Sequence, residues 1–183
     1  MESYDDQQLK DMLMNSATQR RAFELLVRQY SEQLYWQVRR IVLSHEDSND
    51  VLQNAFLKAW NNLNTFKGES KVITWLTRIA INQALDFVRQ QKSHPTISTD
   101  NEELGLANQL MADKYFDGNE TEAQLQEAIA SLPDVQRTVF QLRYYDEMKY
   151  SEMSLVLGTS EGGLKASYHL AVKKITEFFR RHD

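Results

Sequence analysis

Apolar residues recur at spacings of three and four along most of this chain, the period of one face of an α-helix. The clearest run is Glu46–Gln91. It opens on acidic positions (Glu46, Asp47, Asp50) and passes through VLQNAFLKAWNNL, where Val51, Leu52, Ala55, Phe56, Ala59 and Leu63 form one stripe. The pattern breaks over Asn64–Ser70 and resumes as KVITWLTRIAINQALDFVRQQK, with Ile73, Leu76, Ile79, Ala80, Ala84, Phe87 and Val88 in register. Gly68 marks the turn. Ser70 is the expected N-cap of the second helix, since its hydroxyl can accept from a first-turn N–H that has no partner within the helix. The pattern therefore predicts a helical hairpin with a short polar loop at its tip. That loop carries Phe66 and Lys67; Trp60 and Trp75 lie close to it and, as aromatics at helical spacing, read as core.

Upstream, Tyr4–Asn15 reads as a short amphipathic helix (Leu9, Met12, Leu13). Thr18–Leu43 reads as a long one, with Phe23, Leu26, Val27, Tyr30, Leu34, Val38, Ile41 and Val42 as its apolar stripe. Together with the hairpin they make residues 1–92 a helical domain with its own core. Residues 93–121 (SHPTISTDNEELGLANQLMADKYFDGNET) change character, with a Pro, two Gly and six acids. They read as a flexible acidic linker with a transient helical turn around Leu104–Met111.

The helical pattern returns over residues 122–183. Glu122–Ser131 is interrupted by Leu132-Pro133-Asp134, where Pro133 suits the first helical position. Pro133–Tyr145 follows, with Val135, Val139, Phe140 and Leu142 apolar. Tyr150–Leu157 is a short helix closed by Gly158, and a last helix, capped by Thr159 or Ser160, runs to about Phe179. A short helix, a Gly-containing turn and a longer helix form the helix-turn-helix pattern. The expected fold is thus all-α: two small helical domains joined by a flexible linker, the C-terminal one a helix-turn-helix.

Charge refines this picture by segment. The net charge of the 183 residues is −5, which does not announce a nucleic-acid binder. Residues 21–92 carry +10 and −7, residues 93–121 carry +1 and −6, and residues 122–183 carry +8 and −9. The deficit sits mainly in the linker and the first block is mildly basic. There is no Cys, which excludes disulfides, thiol catalysis and cysteine metal sites. His45, His94, His169 and His182 are scattered without metal-ligand spacing, and no Gly-rich loop cradles a phosphate. No enzyme chemistry, metal or cofactor is expected. No apolar run approaches the roughly 20 residues of a membrane span, and no signal-peptide pattern opens the chain. A soluble, cytoplasmic protein without membrane insertion is expected.

On the last helix, Leu164, Tyr168, Ala171, Val172 and Ile175 share one side and should pack inward. Lys165, Ala166, His169 and Lys173 fall on another, near the half that enters the major groove in a helix-turn-helix, where small and basic side chains reach base edges and phosphates. Spacing alone equally allows Lys165 and Lys173 to be ordinary solvated charges, and His169 to be a core residue. A regulator binding duplex DNA unaided would call for a strongly basic C-terminal block, and this block sums to −1.

Read together, two motif sets are specific where neither alone would be. NDVLQNAFLKAW…FKGES…TWLTRIAINQALDFVR resembles the promoter-melting domain of bacterial RNA polymerase sigma factors. LQEAIASLPDVQRTVFQLRYYDEMKYSEMSLVLGTSEGGLKASYHLAVKKI resembles their C-terminal helix-turn-helix domain. Having only these two domains resembles the extracytoplasmic-function group.

The resemblance implies a factor that binds core RNA polymerase and directs it to promoters, recognising minus-ten and minus-thirty-five elements and helping to open the DNA. Its partners would be the clamp helices of the largest polymerase subunit, the flap of the second-largest, promoter DNA and an anti-sigma protein. The family's D-x-x-Q docking motif falls on Asp50 and Gln53, with Asn54 and Phe56 nearby. Asn54 stands where an acid is common, and Asp50 also suits a first-turn dipole partner. The loop over residues 64–70 matches the family loop that captures a flipped minus-ten base. Phe66, Lys67, Glu69 and Ser70 would supply its stacking face, hydrogen bonds and cation. Phe66 has a second reading, as a plug beneath the loop. Lys71, Thr74, Arg78 and Asn82 match the positions that touch minus-ten DNA; Lys165, Ala166 and His169 match minus-thirty-five readers, with Lys173 and Lys174 on phosphates. Many relatives carry further Arg where Ser167, Leu170 and Val172 stand here, so this helix is less basic than is usual.

Overall fold

The computed structural model describes residues 4–93 and 118–182, and every regular element among them is helical. These residues form two compact units, one built on the first four helices and one on the last four, except that residues 155–158 group with the first.

In the first unit, α1 (Asp6–Met14) opens on a capping box: the Asp5 carboxylate accepts from the Gln8 N–H while the Gln8 side chain accepts from the Asp5 N–H. The helix buries Leu9 and Leu13. Two bonds of 3.1 Å, from the Tyr4 N–H to Gln29 Oε1 and from Gln29 Nε2 to the Tyr4 carbonyl, clip its entry onto α2 (Gln19–Val42). Leu43 closes α2 at φ 69°, donating its N–H to the Arg39 carbonyl. Ser44 at once caps α3 (His45–Asn61) by accepting from the Asp47 N–H, while Glu46 and Asp47 place negative charge on the positive end of the helix.

A 3-10 turn at Leu63–Thr65 follows α3, and α4 (Val72–Ser93) completes the unit. Its core joins Leu9 and Leu13 to Leu26, Leu34 and Val38 of α2, Val51, Ala55 and Ala59 of α3, and Val72, Leu76, Ala80 and Ala84 of α4. One buried polar pair crosses it, Thr77 Oγ1 donating to Gln37 Oε1 at 3.2 Å. A buried carbonyl left unpaired costs about 1–3 kcal/mol, so the pair favours one register of α2 against α4.

The sequence placed the N-cap of α4 at Ser70. The structure differs: Ser70 Oγ donates to the Lys71 carbonyl, and the Val72 N–H donates to Asp6 Oδ1 at 2.7 Å. The helix starts one residue too late for Ser70 to serve it, and an acceptor from α1 takes that role.

In the second unit, α5 (Glu120–Ala130) is capped by Asn119, which accepts from the Glu122 N–H. Pro133 is the N-cap of α6 (Asp134–Tyr144) rather than its first helical residue, because its ψ of 143° is extended. Then come α7 (Tyr150–Leu157) and α8 (Glu161–His182), which runs past the expected end at Phe179. Ala128, Ile129, Leu132, Phe140, Ala171 and Ile175 form the core, flanked by Leu125, Tyr145, Tyr168, Phe178 and Phe179. One expected core position is instead exposed, Val172 at 39%. It sits at the edge of its helix's apolar arc, where a β-branched residue satisfies the periodicity without being covered.

Most of the expected linker, including the turn at Leu104–Met111, lies outside the described residues. Its ends do not: Ser93 closes α4, and Glu120 and Thr121 already belong to α5. No helix among the described residues is long and apolar enough to cross a membrane.

Tyr30 of α2 makes a pH-dependent contribution to the fold. Burial pushes its phenol above the ordinary 10.0, a hydrogen bond with Gln29 pulls the other way, and the Asp6 carboxylate raises it further. The neutral form is therefore favoured in the folded state. This contribution is fully present below the unfolded value near 10 and is lost as pH rises through the folded one. Tyr30→Phe should flatten the fall of urea midpoints between about pH 9 and pH 11, leaving them unchanged relative to one another at neutral pH.

Candidate functional site

Three surfaces carry the candidate residues. The first is the outer face of α3. Helical geometry turns Ser48, Val51, Leu52, Ala55 and Ala59 inward, which leaves Asp50, Gln53 and Asn54 exposed one turn apart. Beside them runs an open groove of about 800 Å³ between α3 and the first turns of α2. Phe23, Leu52, Phe56, Leu57 and Trp60 form its apolar wall, with Asp50 and Gln53 on its rim. The Phe23 ring meets the edges of Phe56 and Trp60, with centroids 6.5 and 5.1 Å away.

Two of these residues escaped the sequence reading. Trp60 was assigned to the core and is 40% exposed, while Leu57, not singled out at all, is 56% exposed. The signal was available: Ala55, Phe56 and Leu57 are consecutive, and a helix advancing about 100° per residue cannot point all three inward. The groove can seat an apolar ridge of a partner while its rim accepts or donates hydrogen bonds.

The second surface is the loop between α3 and α4. Phe66 is only 7% exposed and lies 5.0 Å from the Trp75 ring, so most of its ring packs beneath the loop. Its remaining surface lines a cavity shared with Lys67, Glu69, Ser70 and Arg78. Gly68, at φ +72°, makes the turn that a residue with a Cβ would strain. Lys67 and Glu69 are exposed on either side of it and Ser70 is half-buried.

On α4, Lys71, Arg78 and Asn82 are exposed along one side and continue the loop's polar surface. Thr74 is 6% exposed and lines the same cavity as Phe66. The surface that remains holds Lys67, Lys71 and Arg78 against one acid, Glu69, a balance suited to a phosphate backbone.

The third surface is α8. Ser160 Oγ accepts from the Gly163 N–H at 3.3 Å at its start, after Gly158 turns the chain at φ +65°. Leu164, Ala171 and Ile175 are buried and Tyr168 half-buried. Lys165, Ala166, His169, Lys173 and Lys174 are all exposed, so His169 is not a core residue. Lys165 Nζ lies 5.6 Å from the Tyr150 ring centroid, and the Arg143 guanidinium approaches the same ring at 5.3 Å. Tyr150 therefore steadies a basic pair at the mouth of the helix-turn-helix. Among the described residues no group of His, Asp or Glu is placed to hold a metal ion.

Comparison with known proteins adds an independent line. The Sigma-70 region 2 family matches residues 26–94, and the Sigma-70, region 4 family matches residues 122–175. The chain is 31% identical to the ECF RNA polymerase sigma-E factor of Escherichia coli K12 over 171 residues, covering 87% of this chain and 89% of the relative. It is 30% identical to the ECF RNA polymerase sigma factor SigW of Bacillus subtilis, covering 81% and 83%. Two solved structures share the fold. CnrH in complex with the cytosolic domain of CnrY has a TM-score of 0.71 at 22% identity, covering 97% of this chain and 99% of that one. The sigma factor RpoE in complex with the anti-sigma factor NepR, from Bartonella quintana, has a TM-score of 0.65 at 16% identity, covering 86% and 96%.

Proposed function

The chain belongs to the sigma-70 family, in the extracytoplasmic-function group of RNA polymerase sigma factors, and from this we propose how its three surfaces divide the work of transcription initiation. It binds core RNA polymerase and directs it to promoters; it is an initiation factor and not an enzyme. Residues 1–93 form the polymerase-binding and promoter-melting domain, residues 94–118 the linker, and residues 119–183 the domain for the minus-thirty-five element. Asp50, Gln53 and Asn54, with Phe56 and the groove behind them, dock on the polymerase clamp. Lys67, Glu69 and Ser70 meet the flipped minus-ten base, and Lys71, Arg78 and Asn82 its flanking backbone. Lys165, Ala166 and His169 read the minus-thirty-five element, while Lys173 and Lys174 hold phosphates. The protein acts in the cytoplasm, where its polymerase and promoter DNA are, and an anti-sigma protein is a further partner.

The observation that supports this division is exposure: every residue assigned here to a partner is at least partly open to solvent. A pulldown with core polymerase, followed by transcription in vitro with start-site mapping, tests the whole reading. Retention of the protein by duplex DNA at physiological salt without polymerase, and no retention by core, would overturn it.

The loop gives a sharper expectation. Lys67→Ala and Glu69→Ala should change the bases tolerated at the minus-ten element, or slow open-complex formation, without weakening polymerase binding. Both side chains are exposed, so either change should cost the fold under about 0.5 kcal/mol. An unchanged base profile in a panel of minus-ten variants transcribed with each holoenzyme would remove the loop's role.

A further inference from the structure

The sigma-70 region 2 match begins at residue 26 and leaves α1 outside it. Yet α1 touches the candidate base-capture loop at both ends. Asp5 caps α1 itself, which leaves its neighbour Asp6 available to another element. Asp6 Oδ1 accepts from the Val72 N–H at 2.7 Å, a bond across 66 residues of sequence to the residue where loop becomes helix α4. Its other oxygen is 3.0 Å from Lys10 Nζ. Eight residues further along α1, about 12 Å by helical rise, Met14 lies over the turn: its Sδ is 3.6 Å from where a Cβ at Gly68 would stand. α1 is itself fixed, by Leu9 and Leu13 in the core and by the reciprocal bonds between Tyr4 and Gln29.

We propose that α1 is a strut for the minus-ten loop and that Asp6 is a positioning residue for promoter recognition. This rests on the loop's base-capturing role argued above. A pocket for a flipped base needs its donors held to within about half an ångström, and a short loop around a glycine does not hold itself. The 2.7 Å bond to an ionised acceptor pins the loop's exit, while Met14 backs its turn. Asp6 makes no contact with DNA in this arrangement and acts through the backbone of Val72.

Four variants test this in holoenzyme: Asp6→Ala, Asp6→Asn, Asp6→Glu and Lys10→Ala, with Lys67→Ala as the loop reference. Amide exchange at Val72 should rise on the order of fivefold in Asp6→Ala and stay near wild type in Asp6→Asn, since Asn accepts as well at a helix start. Discrimination among minus-ten bases should fall by a similar factor in Asp6→Ala with core binding unchanged. Asp6→Asn and Lys10→Ala should keep the wild-type profile. Asp6→Glu retains charge and the Lys10 pairing, and so folds, but carries its acceptor one methylene further; it should lose discrimination. Should Asp6→Ala fail to fold, the contrast between Asp6→Asn and Asp6→Glu decides alone. If Lys67→Ala shifts the base profile while Asp6→Ala or Asp6→Glu does not, the strut is overturned and the loop's role stands. Equal loss in Asp6→Asn and Asp6→Ala also overturns it. If no variant, Lys67→Ala included, shifts the profile, the loop reading fails and the strut with it.

Discussion

Asp50→Ala combined with Gln53→Ala should weaken binding to core RNA polymerase on the order of hundredfold while leaving the melting temperature within a degree or two. Both side chains are exposed on the outer face of α3, one turn apart, so truncation removes no packing. Hydrogen bonds involving a charged group at an interface are worth about 1.5–3 kcal/mol each, and every 1.4 kcal/mol is about tenfold in affinity. The groove beside them supplies the rest of the surface. Leu57→Ala and Trp60→Ala should each add a further loss, Trp60 the larger, because aromatic anchors beside a polar rim carry most of an interface's energy. Competition for core against an unmodified sigma factor measures all four changes. Normal core binding by the double variant, or its unfolding, would move the docking surface elsewhere.

Much of the fold was legible because its helices are announced by period, cap and punctuation together. Ser160, one of two caps the sequence offers for the last helix, caps it, and Gly68 and Gly158 turn where positive φ is needed. The misses share a cause. Period tells which residues share a face, but not how far a neighbouring helix covers that face. Val172 and Trp60 are periodic and uncovered, whereas Thr74 is polar and covered. The cap of α4 was illegible for another reason: its acceptor, Asp6, lies 66 residues away, and no local pattern links the two.

Site residues followed the same division. Asp50, Gln53, Arg78, Lys165 and His169 are all exposed on their helices, as the periodicity predicts. In the loop, where no period applies, the sequence leaves Phe66 with two readings, and the ring both packs on Trp75 and lines the cavity of the loop.

The last helix carries the second large effect. Lys165→Ala and His169→Ala should both lower transcription from promoters that depend on the minus-thirty-five element, each in a distinct way. The two side chains leave α8 one turn apart and exposed, opposite the buried Leu164, Ala171 and Ile175. Lys165 is held against Tyr150, beside Arg143, which places its charge at the N-terminal half of the helix. A lost phosphate contact weakens all sequences about equally, whereas a lost base contact costs about 1–3 kcal/mol and relaxes choice at one position. Lys165→Ala should therefore reduce transcription across a panel of single-base promoter variants and lessen its salt dependence. His169→Ala should change the ranking within the panel, tenfold or so at one base pair. Because His169 is exposed, its loss should leave the melting temperature unchanged. A lower melting temperature with an unaltered ranking would remove His169 from the reading face, which would then be redrawn around Lys165, Ala166 and Lys173.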